Sequence, residues 1–266
     1  SVASGEDHWC GVTADAELLC WSASANNGVY GEAAVPSDAK YNFVSAGGNH
    51  ACALANDRSI RCYGRSDADQ LDYPLGTGFA EVASADRYSC ALRDAGSIEC
   101  WGTATLGETT PPSGNSFVAI STGYDHACGL SVDQSITCWG SDAYGQSATQ
   151  TGTYIAVSAG NRHTCAIRTN GTVACWGDNE FFQADAPPGS GYVQIDAGKD
   201  STCAVRSNGA IVCWGDNTNG QTNKPTTKNF TSVSVGETHA CALRNDDAII
   251  CWGQGGFSQT IVPAGA

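Results

Sequence analysis

Long apolar runs are missing from this chain. No stretch approaches the ~18 consecutive apolar residues that a membrane-spanning helix requires, so no membrane insertion is expected. Helical periodicity is missing as well, since no window repeats its apolar residues at a period of about 3.6. Positive charge is scarce: 13 Lys and Arg stand against 27 Asp and Glu, for a formal net charge of −14. Such a chain repels phosphate backbones, and no nucleic-acid partner is expected. Catalytic signatures are absent too. There is no Ser-His-Asp spacing, no Gly-rich phosphate loop and no carboxylate pair that stands apart from its surroundings. The expectation is a protein that is not an enzyme and carries no cofactor or metal.

What the chain does have is repetition. Its fourteen cysteines fall into pairs ten residues apart, and successive pairs start 37 to 42 residues apart. Seven copies of one unit therefore cover almost all of the 266 residues. The longest step, from Cys10 to Cys52, absorbs extra residues around Asn26–Gly31. Eight residues before the first cysteine each unit has Val or Ile, and five before it each has Gly except the third, which has Ala85. An aromatic follows every second cysteine: Trp21, Tyr63, Trp101, Trp139, Trp176, Trp214 and Trp252. Apolar residues alternate with a period of two, so these segments are strands. The fifth unit reads as four short ones: YIAVSAG, HTCAI, TVACWG and a weaker QADAP. A few antiparallel strands per unit cannot bury both faces alone, whereas radial stacking of the units does so. The fold class is all-β, a seven-bladed β-propeller forming one domain over residues 1–266. A linear solenoid would need a cap at each end, and none is visible.

Within a unit the second and third strands form a hairpin, and opposed cysteines require a turn centred on Asn170. A three-residue loop, Thr169-Asn170-Gly171, with Gly left-handed, meets that need. A two-residue Asn-Gly turn would pair Cys175 with Ala166, which points to the other face. Gly96 and Gly209 fit the same place. Ala16, Arg58, Gln134 and Asp247 do not, so a different turn is expected there. Directly opposed residues lie within disulfide range. The pairs read as one disulfide per blade: Cys10-Cys20, Cys52-Cys62, Cys90-Cys100, Cys128-Cys138, Cys165-Cys175, Cys203-Cys213 and Cys241-Cys251. No cysteine is left over, which points to an oxidising compartment. The chain begins SVASGEDHWC with no apolar signal segment, so a processed, secreted form is expected. Asn170 and Asn229 head glycosylation sequons that matter in a eukaryotic source. Zinc held by His163, Cys165 and Cys175 is the competing reading, but C-x9-C on one hairpin lacks the close C-x-x-C turn of structural zinc. The third and sixth units also keep their cysteines while replacing His with Tyr88 and Ser201.

The repeated pattern, seen in GNRHTCAIRTNGTVACWGDNEFFQ and GETHACALRNDDAIICWGQGGFSQ, resembles the repeats of the regulator of chromosome condensation family. The resemblance covers all seven units, and seven is that family's usual blade count. WGDNTNGQTNKP is similar to the loops of a secreted, β-lactamase-inhibiting branch. The cysteine pair is similar to secreted bacterial members and to ectodomains of plant crinkly-type receptor kinases. Ser22 and Tyr63 depart from the Trp-Gly of the pattern. The resemblance implies binding of other macromolecules, while the fold alone assigns no partner.

Strand direction sorts the loops by face. The Gly-x-x-His turns and the loops after Trp share one rim. The turns vary from unit to unit: Glu6-Asp7, Gly48-Asn49, Asp86-Arg87, Tyr124-Asp125, Asn161-Arg162, Lys199-Asp200 and Glu237-Thr238. The post-Trp loops add Tyr30, Leu106, Tyr144, Phe181, Phe182 and Phe257. Apolar and aromatic side chains at loop tips are candidate anchors for a partner. The resemblance to the inhibitory branch implies use of these same two loop sets. Together the turns and loops hold 14 acids and 4 bases, a net of −10, while Arg93, Arg168, Arg206 and Arg244 sit near the opposite rim. An extracellular protein partner is expected, in the sharpest form an inhibitor's target. A glycan held as by a lectin is the alternative, and a structural matrix role the second. A lectin should repeat its site, and these pairs differ in every unit. Five histidines (His8, His50, His126, His163, His239) share one repeat position. They could form a ring that senses pH or holds a metal; the plainer reading is that each holds its turn by hydrogen bonding.

Overall fold

The computed structural model describes residues 1–5, 8–22, 31, 34–36, 39–114 and 116–254. Twenty-one strands form seven antiparallel sheets of three, each sheet taken from one repeat in chain order. Blade 5, for example, comprises Tyr154–Ala159, His163–Arg168 and Val173–Gly177. The first strands stand innermost and line a central channel of about 750 Å³.

The expected fourth strand is absent among the described residues. Gln183–Asp185 belongs to two successive turns, in which Phe182 N–H donates to Asn179 O (3.2 Å) and Asp185 N–H to Phe182 O (3.2 Å). The turns use the backbone groups that a ladder would need. The alternation of Gln-Ala-Asp-Ala imitated a strand; Gln183 is spent instead on the turn and on the next blade.

Each hairpin closes as the cysteine register requires. In blade 5 Arg168 N–H donates to Thr172 O and Gly171 N–H to Arg168 O, both at 2.8 Å, leaving a three-residue loop. Gly171 takes φ +76°, Gly96 +82° and Gly209 +73°. The expectation of a different turn at Ala16, Arg58, Gln134 and Asp247 is corrected, because all four adopt the same left-handed backbone with φ of 61–69°. The fixed spacing of the cysteines enforces the turn even where the residue resists it. All seven pairs are disulfide-bonded with Cα–Cα distances of 4.0–4.1 Å. The cysteines therefore oppose one another at non-hydrogen-bonded positions, the closer of the two antiparallel pair types.

The core lies between blades. The disulfide face of one blade packs on the aromatic face of the next: Cys203, Val205 and Ile211 meet Phe230, Val233, Ala242 and Trp252. The indole of each later Trp donates to a carbonyl in the preceding blade's loop, Trp176 to Gln146 (2.9 Å) and Trp214 to Gln183 (2.9 Å) among them. Tyr63, the exception, sets its hydroxyl against the Cys10-Cys20 sulfurs of blade 1 instead. Serines seven residues before the first cysteine tie the inner strands together. Ser45, Ser121, Ser158 and Ser234 each accept from a backbone N–H of the following blade. The last of these, Ser4 N–H to Ser234 Oγ at 3.2 Å, joins blade 7 to blade 1. Trp9 completes that seam. It is fully buried, meets the His239 ring edge-on at 4.6 Å and stacks on Trp21.

Candidate functional site

The five histidines are framework. All are fully buried, and each closes its turn through backbone bonding, as in Gly160 N–H to His163 O at 2.8 Å. A Cβ on Gly5, Gly123 or Gly160 would fall 2.2–2.5 Å from the next blade's glycine carbonyl and 2.5 Å from the histidine ring of its own turn, and both contacts exclude a side chain there. Ala85 occurs in the unit where Tyr88 takes the histidine's place. The rings also reach the next blade: His50, His126 and His163 lie 2.8 Å from Ser89, Thr164 and Thr202. Thr164 gives its proton to Gln146 O, so His126 is the donor in that pair. Burial lowers His8 and His163 to about 3 and His50 and His239 to about 4, with neighbouring histidines adding to the effect at His8 and His163. Burial therefore keeps these four rings neutral at physiological pH. With every cysteine in a disulfide, thiolate zinc at His163 is likewise excluded.

The two loop sets do share one rim. In each of blades 2 to 7 the loop after the third strand begins with a hydrogen bond to the turn of its own blade, as in Asp178 N–H to Arg162 O and Asp216 N–H to Asp200 O, both 2.8 Å. The post-Trp loops are clamped from within. A Gln or Glu whose clamping role the sequence did not reveal, Gln70, Glu108, Gln146, Gln183 or Gln221, accepts a backbone N–H two residues earlier at 2.8–2.9 Å. The same residue's carbonyl takes the next blade's indole. Its recurrence six residues after the Gly of each Trp-Gly or Tyr-Gly pair was the available signal. Asp216 is likewise spent on its own loop, accepting from Thr218 and Gln221.

On this scaffold stand the expected rim residues. Arg87, Tyr124, Tyr144, Arg162, Phe181, Phe182 and Lys199 are exposed; Asn49, Asp86, Asp125, Asn161, Asp200 and Glu237 are half-buried. Glu6, Asp7, Tyr30 and Phe257 lie outside the described residues. Every exposed aromatic among the described residues, Tyr124, Tyr144, Phe181 and Phe182, is on this rim, in blades 4 and 5. Arg162 lies over the Tyr144 ring at 4.8 Å, and Lys199 pairs with Glu237. Asp200 is pushed up by burial and by the nearby carboxylates of Asp178 and Asp216, which outweigh Lys199 and Arg162. Asp125 is raised by burial but held below its ordinary value by the neighbouring His126 ring, 3.9 Å away, and by the hydrogen bond it accepts from Gln146 at 3.2 Å.

The opposite rim is built differently. Arg93, Arg168 and Arg206 stack on Phe79, Tyr154 and Tyr192 at 3.9–5.1 Å, so these cations are part of the blade wall. One-residue bulges in the first strands expose Val118, Ile155 and Val193 there. Lining the channel, Glu81 and Asp196 are half-buried carboxyls that accept the N–H of Ile120 (3.0 Å) and Val235 (2.6 Å) in the next blade. Burial raises both to about 7, against the opposing pull of those bonds.

Seven three-stranded blades, sealed by side chains and displaying variable loops on one clamped rim, define a repeat propeller. The signature described as "Regulator of chromosome condensation (RCC1) repeat" matches residues 43–70, 117–146, 154–183, 192–221 and 230–259, and the chain belongs to that family. The fold is similar to the ectodomain of the receptor kinase CR4 from Physcomitrella patens, at 25% identity over 96% of this chain and 73% of that one, with a TM-score of 0.79. It is similar also to the CRINKLY ectodomain of ACR4 from Arabidopsis thaliana, at 23% identity over 96% and 97%, TM-score 0.78. Prp20p from Saccharomyces cerevisiae, characterised for binding to Gsp1p and histones, matches at 19% identity over 81% and 72%, TM-score 0.71.

Proposed function

We propose that this propeller is an extracellular recognition module that docks a single protein partner through the rim of Gly-x-x-His turns and post-Trp loops, in the manner of an inhibitor that covers its target. The observation that carries this reading is the concentration of exposed aromatics on that one rim, on loops held rigid by their own Gln, Asn and Asp side chains. Preformed loops lose little freedom on binding, and aromatics at such tips are the residues that dominate interfaces. Seven disulfides support an oxidising, extracellular location, as does the similarity to receptor ectodomains. The rim pairs differ in every blade, which favours one large asymmetric partner over repeated sugar sites.

The test is capture from the native extracellular fraction with the intact protein and with a Tyr144→Ala, Phe181→Ala, Phe182→Ala variant. A protein should be retained by the first and lost by the second. Unchanged capture would remove the rim assignment, and specific binding on a glycan array would replace the protein partner with a carbohydrate.

A further inference from the structure

The residue just before the clamping Gln or Glu of each post-Trp loop has a left-handed backbone. Blades 3, 4 and 6 place Gly there (Gly107, Gly145 and Gly220, φ 80–90°) and blade 2 has Asp69 at 57°. Glycine reaches that region at no steric cost and Asp at little. Blade 5 has Phe182, at φ +62°. A bulky residue held there is strained, and such strain clusters at sites of recognition. Burial does not offset it, because Phe182 is 67% exposed. The loop leaves the ring no easy retreat: Phe182 N–H and C=O are both bonded, and Asn179 binds Ala184 N–H and Asp185 on either side. In the free protein this residue is therefore unfavourable in its backbone and in its hydration alike.

Its surroundings are acidic. Asp178 and Glu180 belong to the same loop, and Asp200 and Asp216 stand on the neighbouring turn and loop. The nearby cations are engaged within the protein, Arg162 on the Tyr144 ring and Lys199 with Glu237. We propose that Phe182 is the anchor of the rim, and that it takes a protein segment in which an apolar side chain packing on the phenyl ring is flanked by Lys or Arg facing Asp178, Glu180, Asp200 and Asp216. This rests on the rim reading given above and adds to it one residue and a partner chemistry.

The experiment selects a phage-displayed library of random peptides on the immobilised intact protein, then measures the selected peptides by fluorescence anisotropy. The baits are the wild type, Phe182→Gly, Asp178→Asn/Glu180→Gln, and Tyr144→Ala/Phe181→Ala. Selected sequences should set Lys or Arg beside an aliphatic or aromatic residue. Phe182→Gly should weaken them by about thirtyfold, the loss expected of an anchor, while its thermal midpoint holds or rises because the strain is gone. The Asp178→Asn/Glu180→Gln variant should weaken them and flatten the salt dependence. Peptides lost on Tyr144→Ala/Phe181→Ala but kept by Phe182→Gly would overturn the anchor and leave the rim reading standing. Acidic selected peptides would overturn the partner chemistry. Peptides indifferent to all three variants would overturn the rim reading and the anchor with it.

Discussion

Asp196 occupies a place where four other blades have serine and two have alanine. Like the serines it accepts a backbone N–H of the following blade, at 2.6 Å from Val235, and Ser158 Oγ lies 3.3 Å from its other oxygen. Unlike them it can ionise, and desolvation beneath the next blade raises it from 3.8 to about 7. A folded value above the unfolded one means that the native state holds this proton more tightly. The stability it contributes is complete below the unfolded value and is lost as pH rises through about 7. Glu81 acts in the same direction. Resistance to chemical denaturation should therefore fall between about pH 4 and about pH 7, and Asp196→Asn should flatten that slope, as unfolding curves across the range would reveal. Neither acid was singled out from the sequence. Their effect depends on how completely the next blade covers them, which periodicity does not encode.

The hairpin shows how a covalent register overrides local preference. Seven turns share one left-handed position although only three supply glycine. A Cβ on Gly171 would stand 2.9 Å from Gly191 N, so Gly171→Ala should cost about 1–2 kcal/mol. At Gln134, exposed and at φ +69°, the reverse change to Gly should gain up to about 1 kcal/mol. Thermal melts of the two variants should move in opposite directions. The strand pattern, the three-residue loop at Gly171 and every disulfide were legible from spacing. The post-Trp segment was misread as a strand because alternation counts polarity, and polarity does not disclose that Gln183 bonds backward to Phe181 N–H. The buried aromatics eleven residues before the first cysteine (Tyr41, Phe79, Phe117, Tyr154, Tyr192, Phe230) were overlooked as well, though the same alignment contains them.

At the scale of the whole ring, the seam between blades 7 and 1 is the place where the repeat breaks its own rule. Elsewhere the residue before the first cysteine is Ala, Ser or Thr; in blade 1 it is Trp9, which fills the space beside His239 and whose indole N–H has no partner among the described residues. Trp9→Ala should cost about 3–5 kcal/mol. Hydrogen exchange should then rise first in Val2–Ser4 and Phe230–Val235, the two strands that meet there. If protection fell evenly over all seven blades, Trp9 would be ordinary core. Seven-fold closure was foreseeable from the count of units. The device that achieves it was not, because its two halves lie at opposite ends of the chain.

The disulfides also bear on how the molecule reaches its native state. Each cysteine's correct partner is ten residues away, whereas the next nearest, as from Cys62 to Cys90, is nearly three times as far along the chain. On loop-closure statistics that difference favours the correct partner by about 0.9 kcal/mol, roughly fivefold, before any fold exists. A nascent chain entering an oxidising compartment is thus biased toward native cross-links hairpin by hairpin. Blades pre-shaped in this way then have only rigid-body assembly left to complete, and the search that makes β-rich topologies slow is cut to the order in which seven wedges meet.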